Sequence, residues 1–169
     1  MLLAEYTLIA HYYGSQKAKR SGVYLIKHID EGLLVLEKIN ATHIARKAYC
    51  LHPLVQSDAD LLANQHLLDN IDRPVIIALM EYRAVANAYL STRTINAISE
   101  IKLSPLQAVN EMLIADKIQN KKDFELYHKG KHARSAALSA YFDNWLERLG
   151  ISHALYSEII HFIQANSRD

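Results

Sequence analysis

The stretch YCLHPLVQSD, residues 49–58, decides how the chain folds. Its apolar residues continue a helix that begins near Thr42, and Pro53 must kink or end that helix. Proline lacks the amide donor, and its ring clashes with the preceding turn. The following residues, SDADLLANQHLL, place capping side chains ahead of a new apolar face, so the chain restarts as a helix. Helix, break and helix follow one another, with the imidazole of His52 directly before the break.

The same grammar extends outward in both directions. LLAEYTLIAHYY forms a first helix, and GSQKAKRSG, residues 14–22, is a basic loop bounded by glycines. Ile26, Ile29, Leu33 and Leu36 recur at the three-and-four spacing of one buried face, which predicts a second helix over residues 23–39. Pro74 falls in the first turn of a long helix through Leu90, where its missing N–H costs little. SPLQ, residues 104–107, has the pattern of a capping box with proline at the first helical position and opens a helix towards Tyr127. Beyond Gly130, a stripe of Leu138, Tyr141, Phe142, Trp145, Leu146 and Leu149 reads as core, and Gly150 closes that helix. A last helix over residues 153–164 buries Leu155, Tyr156, Ile159, Ile160 and Ile163. β-Branched alternation is nearly absent, and only five glycines and three prolines punctuate the chain. The expected fold is an all-α, single-domain helical bundle.

Composition narrows the function classes. Nineteen basic and 18 acidic side chains mix along 169 residues for a net charge of +1, so nothing calls for nucleic acid or a charged membrane surface. An anionic ligand must then be met by a local cluster. No apolar run approaches the roughly 20 residues of a membrane span. The lone Cys50 excludes an intrachain disulfide and, with no signal peptide, fits a reducing cytoplasm.

Nine histidines invite a metal. His66, His128, His132, His153 and His161 lack a partner at ligand spacing and read as surface or half-buried residues. His28 and His52 lie on successive helices that a short connection sets antiparallel, so the two imidazoles can meet across the pair.

The order His11, Gln16, KRSG, Tyr24 and His28, then AYCLHPLVQSDADL, then ALMEYRAVANAYL, resembles the start of the HD-domain hydrolases of the RelA/SpoT alarmone type. It covers about residues 6–90. The resemblance implies an HD-like fold in which His28 and His52 match the two metal-ligand histidines. Pro53 stands where the family has a ligand Asp, Gln56 where it has a catalytic Glu, and Ser57 where it has a catalytic Asp. With Asn87 at the family's nucleotide-contacting Asn, the final ligand Asp falls on Arg83, and Glu81 lies close by. Such a site holds a divalent ion that acidifies a bound water. Proline carries no ligand atom, and Gln56 is neutral at every pH, so the resemblance implies a pseudo-hydrolase that needs no cofactor.

A pocket of this origin still offers binding chemistry. Lys17, Lys19 and Arg20 crowd the loop between Gly14 and Gly22, where they can pair with phosphate, and Ser21 and Tyr24 sit beside them. Tyr82, Arg83, Asn87 and Tyr89 come from the long helix, with His28, His52 and Gln56 between the two groups. The expected function is to bind and sequester a nucleotide-derived signal, a cyclic ADP-ribose derivative or an alarmone, in the manner of phage-encoded sponges in a host cytoplasm. A tight pocket of that kind can be shared between protomers of a homo-oligomer. Two alternatives stand beside it: a metal-dependent phosphohydrolase using His28, His52 and Glu81 or Asp58, and a helical protein–protein inhibitor.

Overall fold

Residues 3–19, 21–89, 95–131 and 133–167 are described in a computed structural model. Among them run eight α-helices: α1 (Ala4–Tyr13), α2 (Ile26–Lys38), α3 (His43–Leu51), α4 (Asp58–Asn64), α5 (Arg73–Ala88), α6 (Gln107–Asp123), α7 (Ser135–Arg148) and α8 (His153–Asn166). The fold is an all-α bundle, as the breaker pattern requires. No helix among the described residues is long and apolar enough to cross a membrane.

Local signals set most of the boundaries. Thr42 caps α3 by accepting a hydrogen bond from the Ala45 amide. Pro53 has the expected effect: α3 stops at Leu51, and His52–Val55 continue as a 3₁₀ turn. Ser57 and Asp60 form a reciprocal capping box that starts α4. Gly150 takes φ 75°, the left-handed conformation that ends α7.

The helix expected from SPLQ begins later than its pattern implies. Its first residue is Gln107, because Ser104 is drawn into other contacts: its hydroxyl accepts from the Leu106 amide and donates to Glu81. Past Asp123 the chain widens into a π-helical turn, Phe124–His128.

The bundle is organised around α6, which packs against α2, α3, α5 and α7. Buried residues surround the whole circumference of this helix, and several of them are charged or polar. Buried charges are tolerated only when partnered. Here Glu111 accepts from the backbone and hydroxyl of Thr42, Lys122 pairs with Glu31, and Lys121 pairs with Asp143. The apolar filling comes from Ile29, Leu36, Leu51, Leu79, Met112, Ile118 and Trp145, all fully buried.

The loop after α1 folds onto itself. Lys17 and Tyr24 form an isolated antiparallel bridge, supported by the Ala18 amide donating to the Val23 carbonyl. Arg20, Leu90 and His132 lie outside the described residues.

Candidate functional site

The connection between α2 and α3 brings the start of one helix against the end of the other. His28 and His52 meet there with their Nε2 atoms 3.1 Å apart. Each ring is oriented by its other nitrogen. His52 Nδ1 lies 2.6 Å from the Tyr49 carbonyl oxygen, which only accepts, so Nδ1 carries the proton. His28 Nδ1 lies 2.5 Å from Gln119 Oε1. The Gln119 amide is itself held, because its Nε2 donates to Glu31 and Asp123. Its oxygen therefore faces His28 as an acceptor, and His28 Nδ1 is the donor.

In neutral rings both Nε2 atoms then present lone pairs to each other. Two lone pairs at 3.1 Å repel unless a proton or another cation is shared between them. His52 favours its neutral form: burial, followed by the neighbouring His28, pushes its pKa down to about 4.

Asp116 of α6 completes the cluster, with Oδ1 3.7 Å from His28 Nε2. Each of its oxygens accepts a hydrogen bond. Oδ1 accepts from Asn120 at 2.7 Å, and Oδ2 accepts from the Lys117 ammonium at 2.9 Å. Burial would raise its pKa, but Lys117, His28 and His52 outweigh that and hold it well below the usual carboxylate range. Burial likewise acts to lower the Lys117 pKa, and the Asp116 charge reverses the shift, so Lys117 stays protonated.

One ligand atom each from His28, His52 and Asp116 lie within 4.8 Å of one another. Two imidazoles with Nδ1 donated outwards and one carboxylate are a donor set that fits a divalent first-row ion. Pro53 adds no fourth ligand, and Lys117 competes for the same carboxylate.

A cavity of about 240 Å³ opens beside His52. Gln56, Tyr82, Arg83 and Asn87 line it together with Asp116, Lys117 and Asn120, and Tyr141 and Phe142 add aromatic faces. The Arg83 guanidinium is anchored at the wall, donating to the Val55 carbonyl and pairing with Asp58. Asn87 reaches the Gln56 carbonyl at 3.4 Å.

The loop residues stand apart. Among the described residues, none of Lys17, Lys19, Ser21 and Tyr24 lines this cavity. Tyr24 is exposed, and the Lys17 ammonium sits 4.4 Å above its ring. The two acids considered as ligands are occupied elsewhere, Glu81 with Ser104 and Asp58 with Arg83.

Asp116, Lys117, Gln119, Asn120 and Tyr49 did not stand out in the sequence. A signal existed: Asp116, Gln119, Asn120 and Asp123 form a polar stripe at i, i+3, i+4 and i+7. On a helix of ordinary exposure such a stripe is the solvated face. Only the burial of α6 on all sides turns it into a site. No family model, curated protein or solved structure matches the chain.

Proposed function

We propose that the chain holds a phosphorylated, nucleotide-derived ligand in the cavity beside His52 without hydrolysing it, and so acts by sequestration. The observation that carries this reading is the condition of Asp116. It is the one carboxylate among the described cavity residues, and each of its oxygens already accepts a hydrogen bond. A general base needs a pKa near the working pH, and Lys117, His28 and His52 hold that of Asp116 far below it. Gln56, at the position where the resemblance sets a catalytic carboxylate, takes up no proton.

Binding chemistry is present by contrast. The amides of Gln56 and Asn87 supply donors and acceptors for a base edge. Tyr82, Tyr141 and Phe142 supply ring faces, and Lys117 and Arg83, already paired with Asp116 and Asp58, have further N–H donors for phosphate. At about 240 Å³ the cavity is smaller than the roughly 300–1,000 Å³ of ordinary ligand pockets, so it takes one end of the molecule. The ligand class, an alarmone or a cyclic ADP-ribose derivative, rests on the resemblance of residues 6–90 to HD-domain hydrolases.

Isothermal titration with these nucleotides tests the site. Gln56→Ala and Asn87→Ala should each weaken binding about tenfold, the loss of one or two hydrogen bonds, while leaving the thermal melt in place. Unchanged affinity in both variants would put the ligand elsewhere.

A second reading is favoured by the His28–His52–Asp116 cluster: a metal-dependent phosphohydrolase in which these three residues hold the ion. The ion would supply an acidified water. Turnover that disappears with chelator and in His28→Ala selects this reading over sequestration.

A further inference from the structure

A second cavity, larger than the one at the histidine pair, lies elsewhere in the bundle. It measures about 570 Å³ and lies on the other side of α2, between α1, α3 and the end of α8. The two cavities share no lining residue. Two polar groups in its wall are left incomplete. Arg46 Nε and Ser167 Oγ are both buried, and neither has a hydrogen-bond partner among the described residues. Buried unpaired donors are rare, and each calls for an explanation.

The unmet demand is for an acceptor. Arg46 has no ion pair among the described residues, and Lys27 adds a second positive charge to the same wall. The acids present do not answer it. Asp30 accepts from the Tyr6 hydroxyl at 2.6 Å, and Glu37 is exposed to water. Beside these charged groups the wall carries an apolar strip of Leu3, Leu33 and Leu34 with the ring of Tyr6, and His43 and Asn166 add polar atoms.

We propose that this second cavity binds an amphiphilic oxyanion, a carboxylate or phosphate monoester paired with Arg46 and Ser167 whose apolar body lies against Leu33 and Leu34. A guanidinium offers paired donors in the geometry that an oxyanion accepts. The volume falls within the range of small-molecule pockets.

The test titrates the intact chain with acetate, octanoate and octyl phosphate while following the Arg46 Nε–H cross-peak by NMR. Octanoate or octyl phosphate should saturate with 1:1 stoichiometry below about 1 mM and shift that peak. The preferred head group tells carboxylate from phosphate. Arg46→Gln should weaken binding at least tenfold, and Asn87→Ala, at the other cavity, should leave it unchanged. A second wild-type readout covers misfolding of the Arg46 variant: affinity should rise steeply from acetate to octanoate. Absence of saturation, equal affinity for acetate and octanoate, or undiminished binding in Arg46→Gln would overturn the proposal and leave solvent as the occupant.

Discussion

Gly32→Ala is the substitution in which two known effects oppose each other most sharply. Gly32 lies in α2 one turn after His28, and the ring of the fully buried Tyr49 packs directly over it. From there the Tyr49 hydroxyl reaches both the Nε2 and the carbonyl oxygen of His28, at 3.3 Å each. Replacing a mid-helix glycine by alanine ordinarily stabilises by about 1 kcal/mol. Here the new methyl would sit inside the Tyr49 ring, overlapping Oη, Cε1 and Cζ. Overpacking a filled core costs about 1–3 kcal/mol, and displacing the hydroxyl loses about 1 kcal/mol of hydrogen bonding. The net expectation is a loss of about 2 kcal/mol, or about 4–8 °C in melting temperature for a chain of this size. Circular dichroism melts measure it. In a Tyr49→Leu background, where the ring is absent, the same substitution should cost less, and the difference is the coupling between the two sites. A Gly32→Ala chain that melts at or above the wild-type temperature refutes the packing that sets Tyr49 against His28.

Lys117→Met leaves Asp116 buried without its counter-ion and should destabilise by about 3–5 kcal/mol in a chemical melt. Added Zn²⁺ should then recover part of the loss by binding the cluster, and no recovery would count against His28, His52 and Asp116 as a cation site. His52 gives an acid dependence with a definite sign. Its folded pKa of about 4 lies below the unfolded value of about 6.5, so the unfolded chain binds the extra proton. Its contribution is complete above about pH 6.5 and falls away by about 3 kcal/mol as the pH drops to 4. Urea midpoints across that range should decline, and a His52→Gln chain should decline less.

The fold was legible where a signal acts within one or two turns. Thr42, Pro53, Ser57 with Asp60, Pro74 and Gly150 each mark a boundary through their own backbone chemistry, and the helices follow. Ser104 shows the limit: the same pattern that reads as a cap is overridden by a tertiary partner, Glu81, and α6 starts later. The meeting of His28 and His52 could be read from helix order and a short connection. The carboxylate beside them could not, because Asp116 comes from α6, far along the chain. Its environment depends on how four other helices wrap that one. Lys17, Lys19, Ser21 and Tyr24 are the reverse case. Their spacing looks like a phosphate loop, and spacing alone could not tell that none of the four lines the cavity at His52.

The central claim is binding without chemistry, and the fate of the ligand tests it directly. The chain is incubated at stoichiometric concentration with an alarmone and with a cyclic ADP-ribose derivative, with and without Mn²⁺, then denatured and the released nucleotides identified. Intact ligand that had vanished from free solution and returns on denaturation is the expected result. Products that accumulate beyond one equivalent and require Mn²⁺ would contradict it and make the His28–His52–Asp116 cluster an enzyme's metal centre.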